Sequence, residues 1–185
     1  MRIITGLARG TKLRTLEGDA TRPTPEVVKE AVFSMIQFEL EDRRILDLYS
    51  GSGQMGLEAL SRGARKATMI DINPDAVKII RENAQKAKLY DKCVVLNSDA
   101  RKVMKGFAGK EKFDIIFIDP PYASKSVPAI LADLIKYDIV EENGIVICED
   151  DSSTAYECEG FTLRRHAKYG RVYVTVLEKK VSDDE

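Results

Sequence analysis

The chain has 185 residues, 44% hydrophobic and 32% charged, with a formal net charge of −1. That length and balance suit one globular domain with a substantial core and exclude a disordered chain. No apolar run approaches the ~18 residues that a membrane span requires. The N-terminus lacks the apolar segment of a secretion signal, so a cytoplasmic protein is expected, and it is read as a monomer. Its three cysteines, Cys93, Cys148 and Cys158, show no C-x-x-C spacing. Cys93 and Cys148 fall in strand-like runs and read as buried structural thiols, and no metal ligands are assigned.

The charge is unevenly spread. Residues 1–25 carry a net +3 and residues 161–180 a net +5, while 26–160 carry −6 and the tail Asp183-Asp184-Glu185 adds −3. If the two basic ends converge, they make an electrostatic footprint for phosphates.

In chain order, residues 2–5 and 12–16 read as a hairpin around Gly6 and Gly10. Residues 25–40 read as a helix with Val27, Val28, Ala31, Val32, Met35 and Ile36 on its apolar face. Strand-like runs follow at 45–49, 67–70, 93–96, 113–118 and 145–148. Helix-period stretches separate them at 54–62, 74–88, 99–107 and 125–136, with Asn73-Pro74 as a helix start. Strands that read as continuous apolar runs, alternating with helices, indicate a mostly parallel sheet covered on both faces. The last runs, 161–165 and 172–178, form a hairpin around Gly170 that closes the sheet with an antiparallel edge. The expected organisation is one α/β domain over 1–181. It comprises an N-terminal hairpin-and-helix extension (1–40) and a Rossmann-like core (41–181), followed by an acidic tail (182–185).

The stretch from Asp47 to Gly56 leaves the first core strand and enters the first core helix. Gly51 and Gly53, with Ser50 and Ser52, allow a tight turn and a close backbone approach to a ligand, and the helix start favours negative charge. Asp71 ends the next strand and is placed to hold both hydroxyls of an adenosine ribose, with Ile72 beside it. This pattern alone fits a dinucleotide as well as S-adenosylmethionine. Two acids favour the latter. Asp47, at the strand end, can meet the ammonium and sulfonium of a methionine moiety but would repel a pyrophosphate. Asp99, followed by Ala100, can bind the adenine amine or cap the next helix.

Asp119-Pro120-Pro121-Tyr122 directly follows the apolar run 115–118. The carboxylate can accept from an N–H, and the prolines have fixed φ and no backbone donor, so a local carbonyl can face a pocket. The tyrosine offers a stacking face for a base. Together these parts suit methylation of a planar exocyclic amine. A cytosine C5 mechanism lacks its cysteine nucleophile, since the three cysteines follow Lys92, Ile147 and Glu157. His166, the only histidine, lies in the late basic hairpin.

On these residues the chain resembles, along nearly its whole length, the RsmD family of bacterial 16S rRNA guanine-N2 methyltransferases. The resemblance is carried by Arg2-Ile3-Ile4 with Arg9-Gly10-Thr11-Lys12-Leu13, by Thr21-Arg22-Pro23-Thr24 and by residues 47–63. Within the last, Gly56-Leu57-Glu58-Ala59-Leu60-Ser61-Arg62-Gly63 is the more specific run; Asp119 to Tyr122 complete the set. The resemblance implies a class I methyltransferase sandwich with S-adenosyl-L-methionine as cofactor. Its implied substrate is a guanine N2 of 16S rRNA in a small-subunit assembly intermediate. Asp47, Ser50, Gly51, Ser52, Gly53, Asp71, Ile72, Asp99 and Ala100 would hold the cofactor, and Asp119, Pro120, Pro121 and Tyr122 the base. Arg22 looks like a substrate-side residue; Arg9, Lys12, Arg164, Arg165 and Lys168 are assigned to RNA. Tyr49-Ser50 departs from the Phe-Ala common in the family, and the serine could add a hydrogen bond to the cofactor. Rival readings are a DNA adenine-N6 methyltransferase, for which little length remains for target recognition, and a glutamine-N5 methyltransferase of a protein, whose motif usually begins with Asn.

Overall fold

The computed structural model describes residues 1–16, 24–121 and 123–181, with side chains at all of these except 123–125. Arg22, Tyr122 and the acidic tail 182–185 lie outside the described residues. The chain forms two compact units, Met1–Ala100 and Arg101–Glu185.

The first unit contains α1 (Glu26–Met35), β1 (Arg44–Asp47), α2 (Gln54–Ser61), β2 (Lys66–Asp71), α3 (Pro74–Lys86), a 3-10 turn at Tyr90–Lys92 and β3 (Cys93–Asn97). Its strands are parallel in the order β3-β2-β1, with Ile45 opposite Ala67 and Ala67 opposite Cys93. Ile45, Leu46, Met69 and Ile70 are fully buried, as are Leu57 and Leu60 of α2 and Ile80 of α3. Burial of successive strand residues is what a parallel strand covered on both faces requires. Asn73 caps α3 by accepting from Asp75 N at 2.9 Å, with Pro74 in the first turn, as its sequence indicates.

Three expectations for this unit need correction. The helix expected over 25–40 ends at Met35, and buried Ile36 and Leu40 lie beyond it in turns. Val27 is not on its inner face: it is 65% exposed, and Lys29 and Phe33 are buried instead. The N-terminal hairpin shrinks to a single antiparallel bridge, Arg2 to Lys12.

The reason lies in α2, which organises the N-terminal segment through a buried polar cluster. Glu58, fully buried, accepts from Ile4 N (2.8 Å), Thr5 N (3.0 Å) and Arg62 Nε (2.8 Å), and its carboxylate lies 3.4 Å from Lys29 Nζ. Lys29 Nζ also donates to Arg2 O at 2.6 Å. Burial pulls the Lys29 ammonium below its ordinary value, and Glu58 opposes that shift. Arg62 stacks over Phe33 with its guanidinium carbon 4.8 Å from the ring centre. One turn along, Ser61 Oγ donates to Thr5 O (2.6 Å) and accepts from Ala8 N (2.9 Å). Gly6, at φ +88°, lies so close that a Cβ there would run into the Ser61 carbonyl. The chain therefore wraps α2 and spends its backbone groups on side chains, not on a strand ladder.

The second unit opens within α4 (Ala100–Phe107) and contains β4 (Phe113–Ile118), α5 (Ala123–Lys136), β5 (Val140–Asp150), β6 (Phe161–Tyr169) and β7 (Val172–Lys179). Its strand order is β4-β5-β7-β6; β4 and β5 are parallel, and β7 runs antiparallel to both neighbours. β5 begins five residues before the expected strand. Val140 already pairs with Phe113, and the register then shifts around Asn143, at φ 57°, before Ile145 meets Ile115. The β6–β7 hairpin turns at Gly170 (φ 63°), as expected, and carries a bulge at Arg164. Cys148 is fully buried, whereas Cys93 is only partly so; burial pushes the Cys93 thiol up to about 12.

Candidate active site

The glycine-rich loop leaves β1 at Asp47, which is buried, and reaches α2 through left-handed Gly51 (φ 53°) and Gly53 (φ 81°). Side chains rarely adopt these angles, which accounts for both glycines. Gly56 has a separate reason, because a Cβ there would sit 2.7 Å from Met69 Sδ. Its absence lets α2 approach β2 closely. The loop is stitched to the end of β2. Ser50 N donates to Ile70 O (2.9 Å), and Ser50 Oγ accepts from Ile70 N and donates to Asp47 O, both at 3.0 Å. The departure at Ser50 thus serves the scaffold: its buried hydroxyl donates its proton within the protein.

Asp71 is braced from two sides. Its Oδ2 accepts from Gly51 N and its Oδ1 from Asn73 N, both at 2.9 Å. Asn97 Nδ2 donates to the main-chain oxygens of Asp71 (3.0 Å) and Ile72 (2.9 Å), and Ser98 N to Asp71 O (3.1 Å). The carboxylate is therefore oriented, yet Asp71 remains partly exposed. Beside it Ile72 is 70% exposed, an apolar side chain left in solvent at the end of a buried strand. Asp99 is exposed and immediately precedes α4, whose first residue, Ala100, is buried. All nine residues assigned to the cofactor belong to the first unit.

Asp119, Pro120 and Pro121, assigned to the base, belong to the second unit. Asp119 is exposed directly after β4, Pro120 is buried, and Pro121 is exposed in a turn. Ile118 pairs with Cys148 of β5, and the next two β5 residues, Glu149 and Asp150, are buried acids. Asp150 accepts from Tyr156 Oη (2.5 Å) and Ser152 N (2.8 Å). Burial and this bond raise the Tyr156 phenol well above its ordinary range, so it donates as a neutral hydroxyl. The Asp150–Tyr156 pair thereby fixes the loop that follows β5.

The residues assigned to RNA divide between the units. Arg9 and Lys12 are exposed at the N-terminal turn, close in sequence to Leu7, which is 83% exposed. Arg165 and Lys168 are exposed on edge strand β6, whereas the bulged Arg164 pairs with Glu178 at 3.5 Å. His166 is held by Thr175 Oγ1 (2.8 Å) and Ser153 O (3.2 Å), with its ring parallel to that of Tyr173. That setting makes it a structural element of the hairpin. Among the described residues no cluster of acids, histidines or cysteines could hold a metal ion, and no helix is long and apolar enough to cross a membrane.

The family model described as Conserved hypothetical protein 95, the RsmD family, matches residues 1–178. The chain belongs to the RsmD family. A Haemophilus influenzae relative, Ribosomal RNA small subunit methyltransferase D, is 30% identical over 152 residues, covering 82% of this chain and 79% of its own. The solved structure of yhhF from Escherichia coli superposes with a TM-score of 0.85 at 25% identity, covering 97% of this chain and 98% of the other. The fold is accordingly the Rossmann-like class I methyltransferase fold. An RNA methyltransferase from Salinibacter ruber, solved with S-adenosyl-L-homocysteine, shares that fold at TM-score 0.65 and 18% identity, over 88% of this chain and 98% of its own.

In this RsmD-family chain the run from Gly56 to Gly63 thus has a structural explanation, as the anchor for the N-terminal segment. Three groups near the assigned residues escaped the sequence reading: Glu58 with Lys29, the Asp150–Tyr156 pair, and Asn83 of α3. The available signal was a polar residue at an apolar position. Asn83 follows Ile79 and Ile80 at helical spacing and is 1% exposed.

Proposed function

We propose that the chain transfers a methyl group from S-adenosylmethionine to the exocyclic N2 amine of a guanine in 16S rRNA, within a small-subunit assembly intermediate. The observation that carries the reading is Asp71, an oriented carboxylate tied to the glycine loop through Gly51 N. That is the chemistry a ribose diol needs: two acceptor oxygens held in place and still open to solvent. Family membership and the Haemophilus relative's name support rRNA as substrate.

The reading assigns the methyl donor to the first unit and the acceptor amine to the second. S-adenosylmethionine supplies an activated methyl on a sulfonium, so transfer converts a cation to a neutral thioether and needs little added charge stabilisation. The amine needs more help, because its lone pair is shared with the ring. N–H donation to the Asp119 carboxylate and the Pro120 carbonyl would favour a pyramidal nitrogen and aim its lone pair. Positioning within ~3–3.5 Å of the methyl then supplies much of the rate. The new C–N bond would form as the C–S bond breaks, S-adenosylhomocysteine would leave, and the methylated amine would lose one proton to Asp119 or to water. Tyr122 is proposed to stack on the extruded base, and Arg22, Arg9 and Lys12 to meet the RNA backbone.

The test is transfer of labelled methyl to small subunits lacking the modification, with naked 16S rRNA and DNA alongside, followed by digestion to nucleosides. Label in N2-methylguanosine from the subunits is the expected result. Label in N6-methyladenine from DNA would replace this reading with the adenine one.

A further inference from the structure

Asn83 sits on the buried face of α3 and makes three hydrogen bonds. Its Oδ1 accepts from Arg14 N at 2.8 Å, and its Nδ2 donates to Arg14 O and Ser52 O, both at 2.9 Å. The partners fix the amide's orientation, since a flipped amide would set its oxygen against two carbonyl oxygens. Ser52 lies between the two glycines of the donor loop. The Ser52–Gly53 peptide is consequently held at both ends, its oxygen by Asn83 and its N–H by Ser50 O at 2.7 Å. The neighbouring Gly51 N is held by Asp71. These bonds set the loop's peptide planes, as far as Asn83 keeps its place.

The other end of the clamp is the N-terminal segment. Arg14 is bound to α3 by its main chain through Asn83 and by its side chain through Glu82, Nη1 to Oε2 at 2.8 Å. Met1 adds a second tie, with Ser52 Oγ donating to its Sδ at 3.4 Å.

We infer that Asn83 is a positioning residue that couples the N-terminal segment to the methyl-donor loop, so that cofactor affinity depends on residues 1–14 being seated. The inference rests on the reading of this loop as the S-adenosylmethionine site. A loop whose peptide can rotate must be ordered when the ligand binds, and that cost appears as lost affinity. The dependence is reciprocal: a ligand that holds the loop also holds Arg14.

The experiment is calorimetric titration of wild type and Asn83→Ala with S-adenosylhomocysteine and with adenosine. Adenosine is the part assigned to Asp71, Ile72 and Asp99, so it reports folding of the rest of the site. Asn83→Ala is expected to weaken S-adenosylhomocysteine about tenfold, the worth of one or two buried hydrogen bonds, and adenosine by less than about twofold. Asn83→Asp should be no better, because it faces two carbonyl oxygens with a second acceptor. Equal loss for both ligands, or none, would overturn the inference. Should the variants not fold, amide hydrogen exchange of the wild type decides. Saturating S-adenosylhomocysteine is expected to slow exchange at Arg14 together with the loop amides, and an Arg14 amide unmoved while the loop is protected would overturn the coupling. A wild type that binds neither ligand would overturn the cofactor reading itself.

Discussion

The glycine loop of the first unit, proposed to hold the methyl donor, and the Asp119 motif of the second, proposed to hold the acceptor, differ in how they are built. Around the loop, short polar side chains and main-chain groups are bonded to one another: Ser50 to Ile70 and Asp47, Gly51 and Asn73 to Asp71. In the second unit Asp119, at the end of β4, is exposed and is followed by buried Pro120. The difference teaches where preorganisation resides. The glycine loop is held from within its own unit, whereas the acid of the second region stands at the surface; under the proposed function these would meet a small cofactor and a large RNA.

The comparison can be broken most severely at Glu58. Glu58→Ala would leave Lys29 buried with only the Arg2 carbonyl and free the Ile4 and Thr5 amides. A loss of ~3–5 kcal/mol is expected from denaturant midpoints. A loss under ~1 kcal/mol would mean the N-terminal segment is not anchored as described.

Next in size is Asp71→Ala, which removes two internal acceptors and the proposed ribose ligand. Calorimetry should show S-adenosylhomocysteine binding on the order of 100-fold weaker, as expected for charge-assisted bonds. Unchanged affinity would sever the loop from the cofactor.

Lys29 sharpens the same point through pH. Its folded-state value lies below its unfolded one, so between the two the unfolded chain binds more protons and stability rises with pH. Lys29→Met should stay within ~1–2 kcal/mol of wild type near pH ~7 and abolish that rise toward pH ~10. A rise that persists in the variant would point to another group.

The smallest effect belongs to the hairpin whose basic residues are assigned to RNA. Removing Arg165 and Lys168 should lower the salt slope of RNA binding by ~0.7 per lost phosphate contact, while Arg164→Ala, already paired with Glu178, should change it less. Equal slopes for all three variants would make β6 ordinary surface.

What the sequence made legible is what local chemistry dictates. The five apolar runs became β1 to β5, Asn73-Pro74 began α3, and the loop of Gly51 and Gly53 is bonded to Asp71. Readings failed where a distant element decided. Ile36 and Leu40 continue a helical spacing because they are buried, although the helix has already ended, and no glycine or proline marks the stop. Lys29 has no place on the apolar face read from the sequence, because its partner, Glu58, lies 29 positions away. The strand-like run began only at Ile145 because Glu141-Glu142-Asn143-Gly144 is polar, yet β5 already starts at Val140 and shifts register across that run. The N-terminal hairpin was lost to Gly6 packing on Ser61, a contact that no spacing reveals.

The division of labour between the two regions is tested most directly by Asp119→Ala, read two ways on one preparation. Binding of S-adenosylhomocysteine should stay within about twofold of wild type, while single-turnover methyl transfer to small subunits should fall by on the order of 100-fold or more. Transfer near the wild-type rate would remove Asp119 from the acceptor side and contradict the account.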